Sequence, residues 1–150
     1  MSVIGIGMDL VDIARVERLL EWKGDRALKR LFTFREVDYA GRRAQPARSY
    51  AARLAAKEAG FKALSGSELA RKIGWRDLEV IVRSDGSPLL VLHGSARRRA
   101  ADLGVTRIHL TLTHTDTTAG AMVVLESGDN GSQSRAEAAG PGQYPDGVGG

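Results

Sequence analysis

Glu58 and Lys62 stand four residues apart in the run Ala51-Ala52-Arg53-Leu54-Ala55-Ala56-Lys57-Glu58-Ala59-Gly60-Phe61-Lys62-Ala63-Leu64. On a helix that spacing puts both side chains on one face, one turn apart. Arg53 and Lys57 repeat the spacing on a neighbouring face. One reading is a solvated face with an ordinary ion pair. The other is a polar site that lets a charged group come close. Asp9 offers a second carboxylate, set in the apolar stretch Ile6-Gly7-Met8-Asp9-Leu10-Val11, where it is costly unless something pairs with it. It could instead cap the following helix, a task that Asp12 could do equally well. Two carboxylates from different elements suit a hard cation that keeps several waters and takes phosphate oxygens, which describes magnesium. Lys62 beside such a site could neutralise or protonate a phosphoryl group.

Two histidines complete the chemistry-bearing set. His109 and His114 sit at odd and even positions of one expected strand and therefore face opposite sides, so they do not share a metal. His109 reads as a surface or interface position. For His114 a phosphate or hydroxyl contact and a hydrogen-bonded structural role are both open. The chain has no HExxH, GxSxG or P-loop, and no cysteine. Unaided, these residues point to metal-dependent phosphoryl chemistry.

The elements that must position them follow from periodicity. A strand is expected over 3–11, where Gly5 and Gly7 would let another backbone or a ligand approach closely. An amphipathic helix over 13–22 follows, with Ile13, Val16, Leu19 and Leu20 on one side and Arg15 and Arg18 outward. A second short basic helix spans 25–32. Thr33-Phe34-Arg35-Glu36 has capping-box spacing and starts a third helix running to residue 39. Pro46 suits the approach to the long helix over 51–64, which stops at Ser65-Gly66-Ser67. Residues 68–74 read as a loop. Strands are expected over 75–83 and 89–92 around the turn Ser84-Asp85-Gly86-Ser87-Pro88, making a hairpin. Ser95 can cap a helix to residue 103, whose Arg97-Arg98-Arg99 reads as a solvated face. Strands over 107–114 and 119–126 close an α+β domain, an antiparallel sheet packed on one long helix plus short helices. From residue 127 the composition turns to Gly, Ser, Gln, Ala and Pro, so 127–150 is expected to be a disordered tail and 1–126 the domain.

Composition limits the partners. The 150 residues carry a formal charge of +4, which favours acidic partners or phosphate ligands. Aromatics make up only 5%, which argues against a base-stacking nucleic-acid platform, including one built on Arg42-Arg43 or Arg97-Arg98-Arg99. The absence of cysteine fits a reducing cytoplasm. No basic n-region or long apolar run suggests a signal peptide or membrane span.

Four blocks, in order, resemble the holo-acyl-carrier-protein synthase family of 4'-phosphopantetheinyl transferases. They are Gly5-Ile6-Gly7-Met8-Asp9-Leu10-Val11 followed by Arg15; Phe32-Thr33-Phe34-Arg35-Glu36; Ala52 through Glu58 and Lys62-Ala63-Leu64; and His109-Leu110-Thr111-Leu112-Thr113-His114-Thr115, ending at Val123-Val124-Leu125-Glu126. The resemblance covers roughly residues 3–126. It implies the 4'-phosphopantetheinyl transferase fold and transfer of the 4'-phosphopantetheine arm of coenzyme A to a serine of an apo carrier protein, releasing adenosine 3',5'-bisphosphate. It also implies magnesium on Asp9 and Glu58, Lys62 as the catalytic helix lysine, and Arg53, Lys57 and His114 near the coenzyme's phosphates. Family members of this size are homotrimers with the site between subunits, and their acidic carriers dock on basic residues matching Arg15 and Arg26. The carrier's pathway (fatty-acid, polyketide or peptide synthesis) stays open.

The chemistry expected of such a site places Glu58, directly or through a water, as the base for the serine hydroxyl, and Lys62 as stabiliser or acid for the departing phosphate. The rival from another class is a non-catalytic trimeric protein that binds a nucleotide or phosphate ligand in the same cleft. Gly60 departs from the family's pattern, and a mid-helix glycine costs roughly 1 kcal/mol against alanine.

Overall fold

The computed structural model describes residues 1–128. Its elements are β1 (Ser2–Asp12), α1 (Ile13–Leu31), α2 (Phe34–Gly41), α3 (Pro46–Ala63), β2 (Leu78–Val82), β3 (Pro88–Leu92), α4 (Gly94–Asp102), β4 (Val105–His114) and β5 (Thr118–Ser127). The strands form an antiparallel sheet in the order β1-β5-β4 and a separate β2-β3 hairpin. This is the α+β arrangement expected, with the long helix lying on the larger sheet. Ser127 closes β5, and the expected tail beyond residue 128 lies outside the described residues.

Register sorts the sheet's two faces. Gly7, Asp9 and Val11 of β1 lie opposite Val123, Ala121 and Ala119 of β5, which lie opposite Leu110, Leu112 and His114 of β4. This face turns to α3. Its neighbours Ile6, Met8 and Leu10 point the other way and remain 61%, 59% and 66% exposed. The helix meets the inner face with alanines: Ala51, Ala55, Ala56 and Ala59 are fully buried. Such small side chains let the backbones touch. A Cβ on Gly7 would stand 1.8 Å from the Ala59 carbonyl oxygen, and one on Gly5 2.4 Å from that of Ala63. The close approach anticipated for these glycines is therefore made by a backbone, and it carries Asp9 alongside the helix.

The expected break between two early helices falls at Gly24, whose φ of +44° interrupts α1. At α2 both halves of the capping box are present: Glu36 N–H donates to Thr33 Oγ1 at 3.3 Å, and Thr33 N–H to Glu36 Oε1 at 3.0 Å. Three expectations need correction. Residues 75–77 are a 3-10 turn, because Asp77 accepts the Gly74 N–H on its side chain at 2.9 Å, and the strand starts only at Leu78. Helix α4 starts at Gly94, so Ser95 lies inside it, accepting from Arg98 at 3.0 Å. Arg99 is not merely solvated: it donates to the carbonyls of Leu64 and Ser65 at 2.9 and 2.8 Å and holds the end of α3.

Candidate active site

Helix α3 carries Glu58 and Lys62 toward β1. Lys62 Nζ donates to Asp9 Oδ1 at 3.0 Å and to the Met8 carbonyl at 2.9 Å. Glu58 stands beside Asp9, where a proton on either carboxyl can bridge the two. Partial burial, that hydrogen bond and the negative charge of Asp9 push the Glu58 carboxyl up to about 7, against the opposing charges of Arg15 and Lys62. For Asp9 burial pushes upward too, but hydrogen bonds to Glu58 and Lys62 and the Lys62 charge hold it below its ordinary value. The pair thus holds one proton between two carboxyls near neutrality. When both are ionised, the buried Asp9 Oδ2 has no donor among the described residues.

That orphaned oxygen is the test of a cation. Two adjacent carboxylates with an unsatisfied inward oxygen are a donor set for a hard ion. Among the described residues no third His, Asp, Glu or Cys joins them, so other ligand positions would fall to water or substrate oxygens.

Arg15, expected in carrier docking, stands closer to the chemistry than expected. Its charge acts on Glu58, and the two line one cavity of about 630 Å³ with Leu19, Trp22, Leu54 and Trp75. Arg26 lines the adjoining groove of about 810 Å³, which shares Leu19, Trp22, Leu31 and Trp75 with the first.

The remaining expected residues do not join this cluster. Lys57 is corrected outright: it is fully buried, and its Nζ donates to Glu36 at 2.7 Å, to the Trp75 carbonyl at 2.9 Å and to the Leu78 carbonyl. A coenzyme phosphate would find it sealed and occupied. The cause is helical rotation, about 100° per residue, which turns Lys57 from the Glu58 side into the core. Arg53 lies about 180° around α3 from Lys62 by the same count. It is 3% exposed, donates to Ser49 Oγ at 2.8 Å and stacks 4.4 Å over the Tyr39 ring, leaving its buried Nε without an acceptor among the described residues. His114 shares the inner face with Asp9 but stands two strands away, about 10 Å across the sheet. It is exposed, its Nδ1 3.4 Å from the Thr115 carbonyl. His109 lies on the outer face, 2.7 Å from Glu126.

Sequence reasoning missed the two tryptophans that wall the cavity, which no periodicity marked. It also missed Glu36 and Glu79 as buried carboxylates. Glu36 was visible only as a cap, yet it accepts from Thr33, Lys57 and the Val80 N–H at once.

Comparison with known proteins bears on this geometry. Residues 5–119 match the family described as the 4'-phosphopantetheinyl transferase superfamily. A holo-acyl-carrier-protein synthase of Alkalilimnicola ehrlichii is 49% identical over 128 residues, covering 85% of this chain and 99% of that protein. The crystal structure of the Neisseria meningitidis holo-acyl-carrier-protein synthase matches with a TM-score of 0.74 at 26% identity, over 84% of this chain and 100% of the other. That of the Bacillus anthracis holo-acyl-carrier-protein synthase, in complex with CoA (3',5'-ADP), matches with a TM-score of 0.67 at 30% identity, over 84% and 98%.

Proposed function

This chain belongs to the 4'-phosphopantetheinyl transferase superfamily, among its holo-acyl-carrier-protein synthases, and we propose that it moves the 4'-phosphopantetheine group of coenzyme A onto a serine of an apo carrier protein. The Ser oxygen–phosphorus bond forms as the bond to the leaving adenosine 3',5'-bisphosphate breaks. One observation carries the assignment of the site: Asp9, Glu58 and Lys62 converge, with Glu58 raised to about 7, beside a cavity of about 630 Å³. In the metal-free chain Glu58 is poised near neutrality, and a cation beside it would hold it ionised, the form that can accept the proton of a hydroxyl nucleophile. The complex of a 30% identical relative with CoA (3',5'-ADP) supports the coenzyme as donor.

Asp9 and Glu58 would hold magnesium, which when bound neutralises the charge of the coenzyme's pyrophosphate. The chain's own groups do the rest. Ionised Glu58 takes the serine proton on a carboxylate oxygen. Lys62 Nζ, held at 3.0 Å from Asp9, neutralises or protonates the phosphate that departs. Arg15 adds positive charge beside Glu58.

The exposed apolar face of Ile6, Met8, Leu10 and Met122 supports a homotrimer in which copies of the sheet cover one another. Exposed His114 then serves a site shared between subunits, which fits its distance from the cluster within one chain. Among the described residues no helix is long and apolar enough to cross a membrane.

The test is mass spectrometry of an apo carrier protein incubated with coenzyme A, magnesium and this protein. The expected product carries one phosphopantetheine on serine. Binding of the coenzyme with no adduct on any carrier would overturn the transferase reading in favour of a ligand-binding protein.

A further inference from the structure

Lys62 stands in the last turn of α3, where a lysine ordinarily turns back to the carbonyls of the helix end. Arg99 already ties that end down, donating to the carbonyls of Leu64 at 2.9 Å and Ser65 at 2.8 Å. Lys62 crosses to β1 instead. Two of its ammonium hydrogens go to Asp9 Oδ1 at 3.0 Å and the Met8 carbonyl at 2.9 Å, and the third has no acceptor among the described residues. The side chain is 56% exposed, and an ion pair so open to water adds little stability. Stability alone therefore gives little reason for a lysine at this place.

Its consequence falls on Asp9. One oxygen of that carboxylate is taken by the ammonium, and the other, Oδ2, is buried with no donor among the described residues. A divalent cation set between Asp9 and Glu58 would meet a positive charge already in place, and like charges that close repel. Lys57 shows what a fixed lysine looks like on the same helix. Its three hydrogens go to Glu36, Trp75 and Leu78, and with no exposure it cannot leave. Lys62 can leave. Its four-carbon stem is flexible and open to solvent, and a phosphate offers the acceptor that its third hydrogen lacks.

Resting on the transferase and magnesium reading above, we propose that Lys62 is a stand-in cation that couples the loading of magnesium to the loading of the coenzyme. In the unloaded protein it holds Asp9 and keeps the affinity for magnesium low. A coenzyme phosphate draws the ammonium away, and Asp9 is freed for the metal. By linkage, magnesium tightens the coenzyme by the same factor. Neither ligand commits the site alone.

The test is calorimetric titration with magnesium of the full chain and its Lys62→Met and Lys62→Arg variants, without and with saturating coenzyme A. No carrier is present, so nothing turns over. Lys62→Met is expected to bind magnesium alone about tenfold more tightly than the unsubstituted chain, and its coupling to coenzyme A to shrink by about the same factor. Lys62→Arg keeps the charge and should bind magnesium as weakly as the unsubstituted chain. A second readout follows the amine itself in the unsubstituted chain, by reductive methylation and mass spectrometry. Magnesium alone should raise the labelling of Lys62 severalfold, and coenzyme A added to it should suppress that rise. Labelling of the exposed Lys29 and Lys72 should not respond to magnesium. Magnesium bound no more tightly by Lys62→Met, or a coupling left undiminished, would overturn the proposal. So would Lys62 labelling that magnesium leaves unchanged. Absence of transfer to any carrier would overturn the transferase reading itself, and the labelling by magnesium alone would still decide the exchange at Asp9.

Discussion

Helix α3 carries two lysine–carboxylate clusters, and they differ in completeness. In the core, Lys57 and Glu36 are both fully buried, and every hydrogen of the ammonium has an acceptor. At the sheet edge, Lys62 is 56% exposed, Glu58 is half-buried, and the Asp9 Oδ2 lacks a donor once both carboxylates ionise. Burial pushes the Lys57 ammonium down while the Glu36 charge resists, so the pair stays bonded and inert. The open cluster is the one that the proposed reaction uses. Saturated polar networks hold structure, and unsaturated ones at a cavity do chemistry.

The sharpest way to break this contrast is to cut the closed cluster. Lys57→Met should cost roughly 3–5 kcal/mol of stability, because Glu36 is stranded without its cation. Adding Glu36→Gln should recover part of it, by urea denaturation. If Lys57→Met left stability intact but abolished coenzyme binding, the two clusters would have to exchange roles.

Glu58→Gln should do the reverse. Transfer is expected to fall by about a hundredfold or more, with the melting temperature of the metal-free protein unchanged or raised, because a repelling carboxylate is gone. Near-normal transfer at saturating magnesium would remove Glu58 as base.

The smallest effect is on pH dependence. Glu58 sits at about 7 in the folded chain against an ordinary 4.5, so its contribution is full below the ordinary value and is lost as pH rises through about 7. Asp9, held below its ordinary 3.8, acts in the opposite sense and loses its contribution as pH falls through its folded value. Metal-free protein should therefore lose melting temperature between about pH 5 and about pH 8. Glu58→Gln should flatten the slope and magnesium should reduce it. Scanning calorimetry with chelator, then with magnesium, checks the sign.

Much of this was legible in the chain. Four apolar residues at helical spacing announced the first half of α1, and the alternation over 107–114 announced β4. Thr33 and Glu36 announced a cap that is present. The companionship of Asp9, Glu58 and Lys62 came from motif resemblance more than from spacing, which by itself favoured a surface ion pair. What failed were local patterns that a distant partner overrode. Trp75 looked like strand until Asp77 turned it, and Arg99 looked solvated until it met the end of α3. Glu36 looked spent on its cap until Lys57 arrived from the next helix.

By itself, then, the sequence determined the elements and the reserve of small residues. Alanines on α3 and glycines on β1 permit backbone contact wherever the chain brings them together, because permission is a property of side-chain size. Which lysine is sealed and which is free was decided only in three dimensions. Lys57 and Lys62 have the same chemistry on the same helix, and their fates follow from how α3 is rotated against the sheet. That rotation is set where Gly7 meets Ala59 and where Gly60 meets the hairpin. A Cβ on Gly60 would stand 2.8 Å from Leu78 Cδ2, so the glycine that local propensity disfavours lets β2 pack close. Contacts between residues far apart in the chain set that angle, and local spacing carries no record of them.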